Sequence, residues 1–314
     1  MSRGPGEAAG SAATDAGSSP PDDPPPTGQA NPTRRIAFRT LAVLTSLWVL
    51  ARLAFDLLEA GLMWLPYETL EPILEGYFDS EAEFETHRSH LMSIGIVSWA
   101  LVSAVVTQVR RPHRREAQMA WAVVIIVGGA VVFGLSVTPR QWLLQSGTLL
   151  LPIVVLAILH PRARNLYRLP THDRYMLGLA GLAAVPWLVF AVTQAQHQWR
   201  NLAGDSHAES QHWAAVALMA LTIAAAAVIG SSDRPGWRLP AWFAAIATII
   251  WAVHSLVFPA ATSAATTSWA IAAIVWGIAF AATTLQRQRR QATTTAASSD
   301  ATTPPPRPPQ DAGA

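Results

Sequence analysis

Residues 213–230 read WAAVALMALTIAAAAVIG, an uninterrupted run without a charged side chain. A helix needs about 20 predominantly apolar residues to cross a hydrocarbon core of about 30 Å, so this stretch predicts a transmembrane helix. The chain as a whole is 51% hydrophobic and only 13% charged, against about a quarter charged in a typical soluble domain. Several other runs of similar length repeat the pattern. The chain is therefore predicted to be a multi-spanning membrane protein.

Eight such helices are predicted between two polar tails, which makes the expected fold an all-α polytopic membrane bundle over residues 34–286. The predicted spans are about 41–63, 90–109, 119–138, 142–159, 175–195, 212–230, 240–258 and 269–285. Residues 1–33 and 287–314 are dominated by small and polar residues and proline. Such segments cannot bury enough apolar surface to fold, so both tails are predicted to be disordered.

Arginine is distributed unevenly over the predicted loops. It is concentrated before the first helix, in alternate loops, and after the last helix, whereas the remaining loops contain only Arg88, Arg140 and Arg200. Because arginine marks cytoplasmic loops, both termini are predicted to face the cytoplasm, with the protein in the bacterial cytoplasmic membrane. The outer face then carries an acidic loop, 66–88, and a histidine-rich loop, 196–211.

The composition excludes several kinds of chemistry. The chain has no cysteine and no lysine, so disulfides, thiolate ligands and lysine nucleophiles are ruled out. No basic globular face supports nucleic-acid binding. The one partner that the composition predicts is the lipid bilayer.

The segment 196–213, QHQWRNLAGDSHAESQHW, is the richest source of candidate ligands. The predicted topology places six histidines on the outer side: His87, His90, His197, His207, His212 and His254. Imidazole and carboxylate ligands together suit zinc, copper or non-haem iron. The predicted metal ligands are His207, His212, Asp205, Glu209, His90 and His254. The remaining histidines, His113, His160 and His172, fall in arginine-rich loops and are predicted to be solvated surface residues.

Local spacing supports this interpretation. Glu209 and His212 lie three residues apart, and Glu83, His87 and His90 are spaced by four and three, so each set falls on one helical face. Glu-x-x-His is also the ligand spacing of diiron helical bundles. The alternative is that these are ordinary polar histidines in a wet interfacial loop.

Two forms of the metal hypothesis follow. Paired imidazoles from different helices, with His90, His212 and His254 as the candidates, would bind haem. A zinc site with three protein ligands would keep one position for water and permit hydrolysis. Asp205 or Glu209 would then act as a supporting ligand partner or as the general base.

Charged residues within the first predicted span suggest a different function. Arg52 lies near mid-membrane with Asp56 one turn further along, and charges at such depth usually face a bundle interior or a water-filled cavity. They would suit a proton-coupled transporter or permease, although Arg52 and Asp56 also have the spacing of a simple intrahelical pair. A third alternative is a structural protein that recruits a partner through the acidic loop 66–88.

A resemblance rests on two motifs. Asp205-x-His207-x(4)-His212-Trp213 precedes Pro235-Gly-Trp-Arg-Leu-Pro-Ala-Trp242 by one helix. The pattern resembles a group of uncharacterised multi-spanning membrane proteins from high-GC bacteria. This resemblance implies the fold and the Asp205, His207 and His212 constellation, and it carries no established activity.

Overall fold

The computed structural model describes residues 32–74, 80–134, 147–200 and 206–301, and these ranges are all-α. Two short 3₁₀ turns, Thr107–Val109 and Pro112–Arg114, connect α3 to α4. The α-helices in order are α1 (Pro32–Leu62), α2 (Tyr67–Leu74), α3 (Glu81–Val106), α4 (Glu116–Gly134), α5 (Thr148–Leu159), α6 (Ala163–Leu166), α7 (Arg174–Arg200), α8 (Ser206–Glu209), α9 (His212–Ser231), α10 (Arg238–Val257) and α11 (Thr267–Ala301).

Seven of these helices are long and apolar enough to span a membrane: α1, α3, α4, α7, α9, α10 and α11. Large apolar side chains project outward from several of them, among them Leu47 on α1, Val189 on α7 and Val275 on α11. Outward apolar side chains on helices of spanning length are what a bilayer-embedded bundle requires. The prediction of a multi-pass membrane protein is confirmed.

The uncharged run 213–230 forms the central helix of the bundle. Helix α9 packs against α3, α4, α7 and α10, and 78% of its most apolar window is buried, the largest share among the seven candidate spans. Alanine makes this possible, because small side chains let neighbouring helices approach closely. One such close approach is at Gly230, where a Cβ atom would lie 2.6 Å from the Ala241 Cα on α10.

Contacts among helix ends define one end of the bundle, which we call the arginine end. There the Arg34 side chain, near the start of α1, donates to the Ile158 carbonyl in the last turn of α5. The Asp173 amide before α7 donates to the Ser231 carbonyl at the end of α9. Arg287 of α11 donates to the same carbonyl. The start of α1 and the arginine-rich part of α11 therefore lie at the same end.

Helix α5 returns the chain to the arginine end. Helix α4 begins there, since the Ala117 amide donates to the Pro235 carbonyl just before α10, and α7 begins there at Arg174. In the described ranges the helices between them are α5 and the four-residue α6. The 12 residues of α5 are fewer than a full span requires. The predicted span 142–159 corresponds to α5 in part, because residues 142–146 lie outside the described residues.

Three predicted loops or tails differ from the structure. The acidic loop 66–88 contains α2 and the first turns of α3, and the loop 196–211 contains the end of α7 and the short α8. Helix α11 continues to Ala301, beyond the predicted start of the tail at 287. The extension is anchored because buried Arg287 binds three carbonyls at the end of α9.

Candidate functional site: a histidine cluster

The end of the bundle opposite the arginine end, which we call the histidine end, brings three imidazoles together. His87 and His90 lie on α3, and His212 is the first residue of α9. The ring centroids of His87 and His212 are 4.9 Å apart, and those of His90 and His212 are 5.1 Å apart. The His87 and His90 centroids are separated by 6.1 Å. These three residues are the histidine cluster.

The first turns of α3 orient the His87 ring. Ser80 caps the helix by accepting a hydrogen bond from the Glu83 amide, so the helix is regular from its first turn. One turn later, His87 Nδ1 lies 2.7 Å from the Glu83 carbonyl oxygen. A carbonyl can only accept, so Nδ1 carries the proton, and in a neutral ring Nε2 holds the lone pair. Metal-binding histidines are commonly held in this way by a backbone carbonyl.

A chain of hydrogen bonds sets the tautomer of His90. Ser263, in the α10–α11 connection, donates its hydroxyl proton to Gln194 Oε1 on α7. The same hydroxyl oxygen lies 3.3 Å from His90 Nε2. Since its proton is already used, the oxygen accepts from Nε2, which leaves the lone pair of a neutral His90 on Nδ1. Gln194 and His90 are both buried, and this polar chain ties α3 and α7 to the α10–α11 connection.

Two glutamines position His212. Gln211 precedes α9 with a left-handed backbone, φ 62°, and turns the chain sharply into the helix. Gln198 on α7 is fully buried, donates to the Ala208 carbonyl and accepts from the Ala214 amide. A side-chain amide can serve as donor and acceptor at once, which is what joining two backbone segments requires.

Two further rings pack against the cluster. Trp213 lies 5.2 Å from His90 between ring centroids, and His197 of α7 stacks on Trp213 at 5.0 Å. The wall beside the histidine cluster is therefore aromatic and comes from α7 and α9. It limits the directions from which the His90 ring can be approached.

His254 lies elsewhere at the same end. Its ring contacts are with Trp64, at 5.4 Å, and Phe258, at 4.9 Å. The residue is buried, and neither ring nitrogen has a hydrogen-bond partner among the described residues. The sequence grouped His254 with His90 and His212, whereas in the structure it is His87 that makes direct ring contact with both.

The structure describes the other predicted ligands, Asp205, His207 and Glu209, only in part. Asp205 lies outside the described residues. His207 belongs to α8, for which the structure describes its backbone only, and Glu209 of α8 is exposed. The grouping of these three residues with His212 stays a prediction.

The two charged residues of α1 are in different environments. Arg52 is exposed, whereas Asp56 is half-buried and accepts a hydrogen bond of 2.8 Å from Ser98 on α3. Asp56 therefore links α1 to α3. The assignment of Arg52 and Asp56 to a transport path stays a prediction.

A charged residue that the sequence did not single out lies beside the cluster. Arg88 is buried, with its guanidinium 4.2 Å from the ring centroids of both Phe84 and Phe258. It donates to the Met63 and Leu65 carbonyls after α1. It also pairs with Glu85 at 2.6 Å. These bonds satisfy carbonyl groups that the end of α1 leaves without helical partners, so Arg88 is a structural clamp.

The cluster resembles a three-imidazole metal site in spacing but not in present ring orientation. A metal–nitrogen bond of about 2 Å places the centroids of two tetrahedral imidazole ligands about 5 Å apart. Two of the three observed separations match this value, and the third is about 1 Å wider. Within the described ranges, no group of three or more His, Asp or Glu side chains is arranged to hold an ion.

Comparisons with known proteins add no relative. No family model and no curated protein matches the sequence, and no solved structure matches the fold. What is shown is a helical, polytopic membrane protein with seven candidate spans. The expected membership of a family from high-GC bacteria rests on the two sequence motifs and stays a prediction.

Proposed function

We propose that this protein binds a transition metal ion at the histidine end, through the imidazoles of His87, His90 and His212. The contact of three imidazoles from α3 and α9 carries the proposal. Imidazole nitrogen is the ligand that zinc, copper and iron share. The proposed ion is bound by His87 Nε2 and His90 Nδ1, which the hydrogen bonds of the opposite ring nitrogens leave as lone-pair donors.

Binding requires the rings to turn from their edge-to-face contacts until the lone pairs converge. The outer torsion of histidine has a broad, two-fold energy profile, so this adjustment is small in energy. His212 is half-buried at the start of its helix, whereas His87 and His90 are buried, so its ring has more open space beside it. Three imidazoles leave one position of a four-coordinate ion for water, as in hydrolytic zinc sites.

An ion fits the observed spacing better than haem. Two imidazoles on opposite faces of a haem have centroids about 6 Å apart, with the macrocycle between them. His212 is closer than this to both His87 and His90, at 4.9 and 5.1 Å. His87 and His90 are 6.1 Å apart but lie one turn apart on the same helix, where a macrocycle could not fit between them. The space between these rings is already occupied by their own contact, so the cluster favours a single ion.

Metal content tests the proposal directly. Elemental analysis of detergent-purified protein, equilibrated with zinc and then desalted, should give close to one ion per chain. His90→Ala and His212→Ala should reduce the content at least about tenfold, because each ligand contributes strongly to affinity. His113→Ala, on an exposed residue at the arginine end, is the matched control and should retain the ion.

Two further variants identify the ligand set. His207→Ala and His254→Ala should retain the ion if the histidine cluster is the site. Loss in His207→Ala with retention in His87→Ala would contradict the cluster and favour the local motif at 205–212. The triple variant His87→Ala/His90→Ala/His212→Ala is the final comparison, with cooperative thermal unfolding as the check that both proteins are folded. If the parent protein holds no more zinc than this variant, metal binding is overturned altogether.

We further propose that the arginine end faces the cytoplasm. We also propose that the chain crosses the membrane eight times, with α5 as part of an additional crossing between those of α4 and α7. Support comes from the concentration of arginine in the loops at that end. The return path of α5 between α4 and α7 supports the even number of crossings. In this orientation the proposed metal site opens to the outside of the cell.

A further inference from the structure

A charged cavity of about 280 Å³ lies at the arginine end, far from the histidine cluster. Its walls come from the start of α4, the segment after α5 that contains α6, and the connection between α9 and α10. The charged residues that line it are Glu116, Arg162, Arg168, Asp233 and Arg234. Three arginines against two carboxylates leave an excess of one positive charge.

Two arginines of this cavity, Arg162 and Arg234, are held by different kinds of partner. Arg162 pairs with the buried carboxylate of Glu116 at 2.7 Å, so these two charges cancel locally. Arg234 instead donates to the backbone carbonyls of Asn165, Leu166 and Arg168. Carbonyls are neutral acceptors, so these bonds fix the Arg234 guanidinium in the cavity wall without cancelling its charge.

Arg168 stands at the cavity rim between two exposed apolar side chains. Tyr167 is 73% exposed and Leu169 is 98% exposed. Ile158, in the last turn of α5 just before this segment of the chain, is exposed as well. A guanidinium held by carbonyl groups, an exposed arginine and adjacent exposed apolar side chains together match an anionic headgroup above its acyl chains.

We propose that this cavity binds the phosphate group of an anionic phospholipid, with Arg168 and Arg234 as the phosphate-binding residues. Guanidinium groups bind phosphate oxygens through strong charge-assisted hydrogen bonds. Tyr167, Leu169 and Ile158 would contact the glycerol and acyl region, which distinguishes a lipid from a soluble phosphate. The site would hold the α6 segment against the α9–α10 connection.

Thermal unfolding in detergent tests this proposal. Adding phosphatidylglycerol should raise the unfolding midpoint of the full chain by about 3 °C or more, because a ligand that binds only the folded state stabilises it. Phosphatidylcholine at the same concentration should give no such rise. Arg168→Gln, at an exposed side chain that does not disturb the fold, should lose at least half of the phosphatidylglycerol effect.

Arg110→Gln is the matched control, since Arg110 is exposed at the same end and does not line the cavity. It should keep the full effect, and an equal loss in both variants would reduce the finding to general surface charge and overturn the site. Leu169→Ser should weaken the response to phosphatidylglycerol. Stabilisation by inorganic phosphate or soluble glycerol phosphate that equals the lipid effect, and is insensitive to Leu169→Ser, would contradict a lipid ligand.

Discussion

Single buried residues connect the helix ends of this protein. Arg88 holds the end of α1, and Arg287 holds the end of α9 while its guanidinium stacks 4.0 Å from the Trp237 ring. In both cases a guanidinium offers several donors to carbonyls that have no partner within their own helix. His160 has a similar linking role at the arginine end, through hydrogen bonds that require a neutral ring.

His160 was predicted to be a solvated surface residue, and it is instead fully buried. Its Nε2 donates to the Pro112 carbonyl, and its Nδ1 accepts from the Arg162 amide. This pattern requires a neutral ring with one proton. Burial is the main cause that lowers the His160 pKa from 6.5 to about 4. The loop position was readable from the sequence, but burial beneath α1 was not, because the Phe38 ring that covers it is distant in the chain.

We expect His160 to make the protein less stable in acid. Between pH 6.5 and about 4 the unfolded state binds a proton at this ring and the folded state does not. The free energy of unfolding should therefore fall as pH drops through this window, by up to about 3 kcal/mol, and the full contribution is present above pH 6.5. Thermal unfolding in detergent from pH 7.5 to 4 measures the change.

The matched variants for this test are His160→Gln and His113→Gln. His160→Gln removes this titrating group and should reduce the pH dependence, whereas His113→Gln, at an exposed position, should behave like the parent. An identical slope in all three proteins would show that His160 does not contribute to acid sensitivity.

At the scale of the helices, packing depends on a few close approaches. Gly230 on α9 faces the backbone of Ala241 on α10, and Gly95 on α3 faces Ala60 on α1. In contrast, a Cβ atom at Gly181 on α7 would meet nothing within 4 Å. At Gly230 and Gly95 a larger side chain would collide with the neighbouring helix, whereas at Gly181 it would meet no other part of the bundle.

Gly230→Ala should destabilise the bundle. Its new Cβ would lie 2.6 to 2.8 Å from the Cα, N and Cβ atoms of Ala241, so one helix must move. Overpacking of this kind costs about 1–3 kcal/mol. Gly181→Ala, in an exposed helix interior, should be neutral or slightly stabilising because alanine favours the helix. Unfolding midpoints of the two variants test the difference, and equal midpoints would contradict the close α9–α10 contact.

At the scale of the whole molecule, the proposed orientation of the two ends can be tested by labelling. The chain contains no cysteine, so a single introduced cysteine can be labelled without further changes to the protein. Glu68 in α2 and His113 between α3 and α4 are both exposed, and they lie near the histidine end and the arginine end respectively.

With the arginine end in the cytoplasm, Glu68→Cys in intact spheroplasts should react with a membrane-impermeant maleimide. His113→Cys should react only after the membrane is permeabilised. The reverse pattern would place the arginine end outside, and the proposed metal site would then open to the cytoplasm. Reaction of both cysteines in sealed spheroplasts would contradict a membrane between the two ends.

The sequence by itself determined the class of the protein and the division of its residues between two ends. Span length, absence of charge and the position of arginine are local properties of a chain in a bilayer, so they can be read without knowing which helices are neighbours. The uncharged run 213–230 was recognisable as a span for this reason. Its central position was not, since centrality depends on contacts with four other helices.

Only the tertiary structure decided which histidines meet. His87, His90 and His212 come into contact because α3 packs on α9, whereas His254, at the same end, faces Trp64 and Phe258. Helix adjacency and rotation are set by close approaches such as that of Gly230 to Ala241 and by clamps such as Arg88, which join residues far apart in the chain. The periodicity of one helix contains no information about its neighbour, and for this reason the ligand types were predictable while their grouping was not.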